Sequence, residues 1–192
     1  MRRIALTVVV LTVCAVALQG CFFIYIPGSV IESVGNALSG KSRPGDADKI
    51  AQLTALEKAT KFEDMLAYAQ QWTAAEPDNA TAWYVQGVAF MRLSRDAEAI
   101  ASNRQAVGLR DVFPAAWNNL GFLALRQGDA NEAIAACQKA LSQQPEYALA
   151  WVNLGAAYNY KGDRDKVIDA YRHLQRIDPA RAEAFSKQFR VS

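Results

Sequence analysis

Trp83–Phe90 reads WYVQGVAF, Trp117–Ala124 reads WNNLGFLA, and Trp151–Tyr158 reads WVNLGAAY. The three tryptophans stand 34 residues apart, and each opens a similar stretch. Self-similarity at a fixed period of this size predicts stacked repeats, in which each unit buries its apolar face only against its neighbours. Within each stretch the apolar positions recur three and four residues apart, the spacing of one helix face.

A second helical pattern follows in each unit: Ala133, Ile134, Cys137, Ala140 and Leu141 in one, Val167, Ile168, Tyr171 and Leu174 in the next. Ala99, Ile100, Asn103 and Ala106 are the equivalents in the first. Gly128 and Gly162 between the patterns suit a left-handed helix end. Asp129 with Glu132 three residues later predicts a capping box. Gly87, Gly121 and Gly155 let the partner helix come close, which offsets a helix-propensity cost of about 1 kcal/mol each.

Trp151, Leu154, Gly155, Tyr158, Tyr171 and Pro179, like Trp117, Leu120, Gly121, Ala133, Ala140 and Pro145, fall in an order that resembles the tetratricopeptide repeat family. The Trp83 unit departs from it at Gln86, Asn103 and Asp111. One period earlier Leu53, Leu56, Met65 and Pro77 keep the register, but Lys49 stands in the tryptophan position. The resemblance implies an all-α fold, a right-handed superhelical α-solenoid of helix-turn-helix repeats. Its units would be a degenerate pair at 46–79, repeats at 80–113, 114–147 and 148–181, and a C-terminal capping helix and tail at 182–192. Ala182, Phe185 and Phe189 supply the apolar face of that cap.

In this family the first helices line a concave groove. Carried onto this chain, the groove positions are Tyr84, Val88, Met91 and Arg92; Asn118, Asn119, Phe122, Leu125 and Arg126; and Val152, Asn153, Ala156, Asn159 and Tyr160. Amides that hydrogen-bond a backbone, with Tyr and Arg as anchors, suit a protein partner presenting a peptide or a helix. Asn119 and Asn153 sit where the family commonly carries asparagine, so a packing role stands beside the binding one. The family's carboxylate clamp is not implied, because its positions hold Tyr84, Val88, Asn119, Leu149 and Asn153 and no basic residue.

The N-terminus reads MRRIALTVVVLTVCAVALQGC. Arg2 and Arg3 precede an uncharged apolar run from Ile4 to Leu18, the layout of a secretory signal. Leu18, Gly20 and Cys21 resemble a bacterial lipobox, and Gln19 departs from it. That resemblance implies a signal peptide at 1–20, lipidation of Cys21 and attachment to a membrane through the lipid. Phe22 after the cysteine, where retained lipoproteins carry aspartate, implies the periplasmic face of the outer membrane. An uncleaved inner-membrane signal anchor is the alternative, since Ile4 to Ile26 carries no charge and about 20 apolar residues can span a bilayer. Residues 21–45 then join anchor to repeats, with a short amphipathic helix over Val30–Leu38 and a flexible linker at 39–45. Fully extended, this stretch reaches roughly 80 Å.

Composition excludes some classes. Hydrophobic content of 52% and charged content of 21% are globular. Without Arg2 and Arg3 the chain holds 19 basic and 19 acidic residues, so the excess positive charge of a nucleic-acid binder is missing. Of three cysteines, Cys137 reads as a small buried residue. The single histidine, His173, lies near Arg172 and Arg176 with no nucleophile or paired carboxylate, and reads as a solvated side chain. There is no phosphate-binding glycine loop and no metal-ligand cluster. No cofactor, metal or small-molecule substrate is expected. The reading is a non-catalytic, membrane-anchored interaction scaffold in the bacterial envelope. The alternatives are a homo-oligomer stacking through its repeat ends, and an unrecognised enzyme or enzyme regulator.

Overall fold

The computed structural model describes Arg43 and residues 45–191 of the 192-residue chain. Cys21, the signal segment before it, the helix expected over Val30–Leu38 and most of the linker lie outside the described residues. Those described contain nine helices and no strand. They are α1 (Asp46–Lys58), α2 (Phe62–Ala75), α3 (Ala80–Arg92), α4 (Asp96–Leu109), α5 (Pro114–Arg126), α6 (Ala130–Gln143), α7 (Ala148–Tyr160), α8 (Arg164–Ile177) and α9 (Pro179–Phe189). Consecutive helices pack from α1 to α9, the first helices α5 and α7 also touch, and α9 closes the end against α7 and α8. The result is an all-α solenoid of helix pairs.

The period of 34 is written into the backbone as well as the side chains. Each pair turns on one left-handed residue: Thr60 (φ 56°), Ser94 (57°), Gly128 (79°) and Gly162 (76°). All four turns share one hydrogen-bond pattern. The amide after the left-handed residue reaches back five positions, from Lys61 to Leu56, Arg95 to Phe90, Asp129 to Ala124 and Asp163 to Tyr158, and the amide of the left-handed residue itself reaches back three, to Glu57, Met91, Leu125 and Asn159. This double closure satisfies the carbonyls that a helix end leaves free. The degenerate pair thus keeps the family turn although its tryptophan is gone.

Asp129 caps α6 by accepting from the amide of Glu132 at 2.9 Å, and Asp163 caps α8 by accepting from Lys166 N at 3.3 Å. The expected capping box is only half formed. The amide of Asp129 is already donated to the Ala124 carbonyl, so the Glu132 carboxylate has no donor to meet there. Lys61 and Arg95 occupy the same position before α2 and α4 and supply no side-chain cap.

In each of the three tryptophan-bearing units the helices approach closely at one glycine. A Cβ added to Gly121 would lie 2.5 Å from Cys137 Sγ, and one on Gly87 would lie 2.4 Å from Asn103 Nδ2. In the last unit the residue pressed onto Gly155 is Phe185 of α9, at 2.4 Å, while Tyr171 is only half-buried. Helix α9 therefore plugs the site that the second helix fills elsewhere. It starts at Pro179, before the expected boundary, because Asp178 caps it by accepting from Arg181 N at 3.0 Å and proline suits the first turn.

Each departure from the repeat pattern is paired. Buried Gln86 accepts from Thr73 Oγ1 at 2.8 Å. Asn103 donates to the Ala99 carbonyl at 2.8 Å and accepts from Asn119 Nδ2 at 3.3 Å. Trp83 and Trp151 donate their indole N–H to the carbonyls of Pro77 and Pro145, both at 2.8 Å. At the equivalent step before Trp117 stands Asp111, whose carbonyl accepts from Gln143 Nε2 at 2.9 Å instead. Lys49, which replaces the first tryptophan, sits over the Trp72 ring at 5.1 Å and pairs with Glu76.

A left-handed conformation costs a side-chain-bearing residue about 1 kcal/mol or more, and a β-branched one most. Thr60→Gly and Ser94→Gly are each expected to raise stability by up to about 1 kcal/mol in urea unfolding, with Gly128→Ala lowering it. A loss on both glycine substitutions would contradict the shared turn.

Candidate protein-binding groove

The first helices α3, α5 and α7 carry the groove positions, and the structure divides them into two sets. Tyr84, Val88, Met91, Asn118, Asn119, Val152, Asn153 and Ala156 are all buried. These side chains lie in the packing within and between units, not on the open surface of the groove. Tyr84 lies against Phe113 with ring centroids 5.0 Å apart. The amides expected to hold a ligand backbone hold each other instead: Asn153 Nδ2 donates to Asn118 Oδ1 at 2.9 Å, and Asn119 serves Asn103. Small repeated amides at a helix interface satisfy one another at low cost, because both desolvated partners gain a bond.

The two arginines are also committed. Arg92 donates through Nε and Nη2 to Glu57 Oε1, both at 3.0 Å, and its guanidinium lies 5.9 Å from the Phe62 ring centroid. Glu57 is buried, its Oε2 meets no donor among the described residues, and burial pushes its carboxyl above the usual carboxylate range against the pull of Arg92. Arg126 pairs with Asp96 at 3.1 Å and lies 6.0 Å from the Phe122 ring centroid. Both arginines stand at the end of a first helix, one period apart, and each ties its helix to the unit before.

Four of the expected positions keep accessible surface without such an ion pair. Phe122 and Leu125 are half-buried, Asn159 is exposed, and Tyr160 is 54% exposed. Tyr160 leans over the preceding turn, its hydroxyl 3.3 Å from where a Gly128 side chain would begin. With Gln127, Asp129, Asn131 and Lys161 it borders an open cleft of about 480 Å³. Lys161 Nζ donates to Asn131 Oδ1 across it at 2.8 Å. The accessible strip therefore runs from α5 to the end of α7, an aromatic and aliphatic strip rimmed by amides.

No group of three or more His, Cys, Asp or Glu among the described residues is placed to hold a metal ion. No described helix is long and apolar enough to cross a membrane. Cys137 is fully buried, and burial alone pushes its thiol up to about 12. His173 is less free than its sequence context suggests. Its ring stacks on Trp151 with centroids 3.9 Å apart and planes 6° from parallel, and Arg176 Nη2 lies 2.6 Å from its Nδ1. Partial burial first, then the neighbouring Arg176 charge, lower its pKa from the ordinary 6.5. A base with a lowered folded pKa contributes stability that is present above its unfolded value and lost as pH falls below it. The imidazole resonances of this single histidine are expected to titrate below pH 6.5 in the native chain and to return to an ordinary midpoint in urea. A native midpoint above 6.5 would exclude the stacked, arginine-flanked arrangement.

Two tetratricopeptide repeat models match the chain, over residues 50–119 and 113–180. No curated protein matches it significantly. Among solved structures it is similar to MamA, at 21% identity and a TM-score of 0.63, over 80% of this chain and 89% of that one. A second likeness is to MamA 41-end from Desulfovibrio magneticus RS-1, at 19% identity and a TM-score of 0.62, over 73% and 82% of the two chains. A third is to the Arabidopsis OM64 TPR domain, at 18% identity and a TM-score of 0.55, over 58% and 93%. At such identities the likeness is one of fold. With the repeat models spanning residues 50–180, the left-handed turns in register and the glycines at each close approach, the chain belongs to the tetratricopeptide repeat family, whose solenoids are protein-interaction scaffolds.

Proposed function

We propose that this scaffold is tethered in the bacterial cell envelope through a lipid on Cys21 and holds a segment of a protein partner against the α5–α7 strip. The observation that carries the binding site is the accessible Phe122–Leu125–Tyr160 surface on a face whose other groove positions are buried. A helix or an extended peptide with apolar anchors fits such a strip, and the amides at its edge suit polar groups of the same ligand. The lipobox-like Leu18–Cys21 sequence supports the tether and Phe22 supports the periplasmic face of the outer membrane, where the scaffold would help assemble an envelope complex. Two or more acyl chains hold a protein stably, because each buried CH₂ contributes about 0.8 kcal/mol.

Tyr160→Ala is the cleanest probe of the strip, since that side chain is mostly exposed and its loss leaves the core intact. It is expected to weaken the partner identified by in-cell photocrosslinking from positions 122 and 160 by about 2 kcal/mol, or roughly thirtyfold in Kd. Crosslinks that arise only from second-helix positions such as Arg104 would overturn the groove assignment.

For the tether, Cys21→Ser should abolish palmitate incorporation and release the chain from the membrane fraction. An uncleaved N-terminus with unchanged membrane association would establish the signal-anchor alternative instead.

A further inference from the structure

The second helices carry a site of different chemistry. Between α6 and α8 lies a cleft of about 680 Å³, floored by Trp151, Leu154 and Tyr158 of α7 and walled by Leu141 of α6. Its rim on α8 holds Lys166, Arg172 and Arg176 against a single carboxylate, Asp169. Arg172 pairs with Asp169 at 3.2 Å, but both side chains are more than 60% exposed, so that pair contributes little and is easily exchanged. Arg176 meets no carboxylate among the described residues, and its guanidinium is held beside the cleft by His173 Nδ1. Lys166 Nζ lies 4.8 Å from the Tyr158 ring centroid, over the floor, and 3.5 Å from Asp163 in a solvent-exposed pair that contributes little.

The rim is a departure from the repeat. One period earlier the floor recurs as Trp117 and Leu120, while the positions of Lys166, Asp169, Arg172, His173 and Arg176 hold Glu132, Ala135, Gln138, Lys139 and Ser142. The tryptophan and leucine of the floor belong to the repeat packing of the last two units. The cations are not required by it, and they occur together only in the last.

We propose that this cleft is a second docking site, taking an acidic segment of a partner protein that carries an apolar or aromatic side chain between carboxylates. Charge complementarity selects the occupant: three cations outnumber the two carboxylates near them, Asp169 and Asp163, with Arg176 meeting neither, which favours an anionic ligand, and the aromatic floor favours one with an apolar side chain to bury. A nucleic acid needs a longer basic track, and the rim spans about three turns of α8. The two faces of the solenoid then engage different ligands, an apolar segment on the first helices and an acidic one on the second.

A displayed library of random peptides, selected on the full chain in detergent, tests this. The expected result is enrichment of sequences with Asp or Glu flanking an aromatic or aliphatic residue. Their binding should fall at least about tenfold for Arg172→Glu/Arg176→Glu, hold for Tyr160→Ala and hold for the control Lys139→Glu, and should shift the His173 resonances. The substituted side chains are exposed, and thermal unfolding of each variant confirms that it is folded. Failure to enrich acidic sequences would overturn the proposal, as would binding indifferent to the charge reversal or lost with Tyr160→Ala. Adsorption to phosphatidylglycerol vesicles, abolished by the reversal while no acidic peptide is selected, would assign the cleft to lipid and overturn it as well.

Discussion

The three units that begin on a tryptophan depend on two helices approaching so closely that one of them has no room for a side chain. At Gly87, Gly121 and Gly155 an added Cβ would fall within 2.5 Å of a neighbouring side-chain atom. Side chains placed there would force the pair apart, and overpacking of this kind costs typically 1–3 kcal/mol. The spacing of each pair sets where the next can stack, so the contact propagates along the solenoid. What presses on the glycine is free to vary: an amide in one unit, a thiol in the next, and a phenyl ring from the capping helix in the last. The constraint is a shared distance, and three chemistries meet it.

Variation at that contact and around it is answered within the structure. An asparagine against Gly87 brings buried polar atoms, which Ala99 and Asn119 satisfy. A glutamine in place of leucine at 86 finds Thr73. Where the tryptophan is lost, Trp72 from the second helix occupies the space beside Lys49, and the aromatic bulk passes from one helix to its partner. A half-satisfied buried polar group costs about 1–3 kcal/mol, so each of these substitutions is tolerable only with its partner. The units are thus similar in shape and distinct in their polar bonds, which favours one register of stacking over slipped ones.

The period, the helix pairs and the capping helix are legible in the sequence because they rest on local spacing: apolar residues three and four apart, a turn residue every 34, a proline after the second helix. The degenerate pair is legible for the same reason, although its strongest marker is missing. The groove is less so. Family positions identify the face, but whether Asn153 meets a ligand or Asn118 depends on how two units stack, and no spacing within one unit encodes that. The commitment of Arg92 to Glu57 is hidden likewise, since the partners are 35 residues apart on different units. His173 was misleading for the opposite reason: its sequence neighbours are polar, and the surface that holds it is Trp151 of another helix.

On the proposed groove assignment, burying most of the groove positions concentrates recognition. A wide groove of free amides and arginines would bind many extended segments weakly, because each unsatisfied group is as well served by water as by a ligand. With the amides paired and the arginines locked, discrimination falls to a few aromatic and aliphatic side chains on a rigid support, the arrangement in which truncating one anchor is felt strongly. Rigidity also lowers the ordering cost of association, since Phe122 and Leu125 are already held by the packing beneath them. The same packing that removed eight candidate contacts from the surface therefore makes those that remain better suited to select a partner.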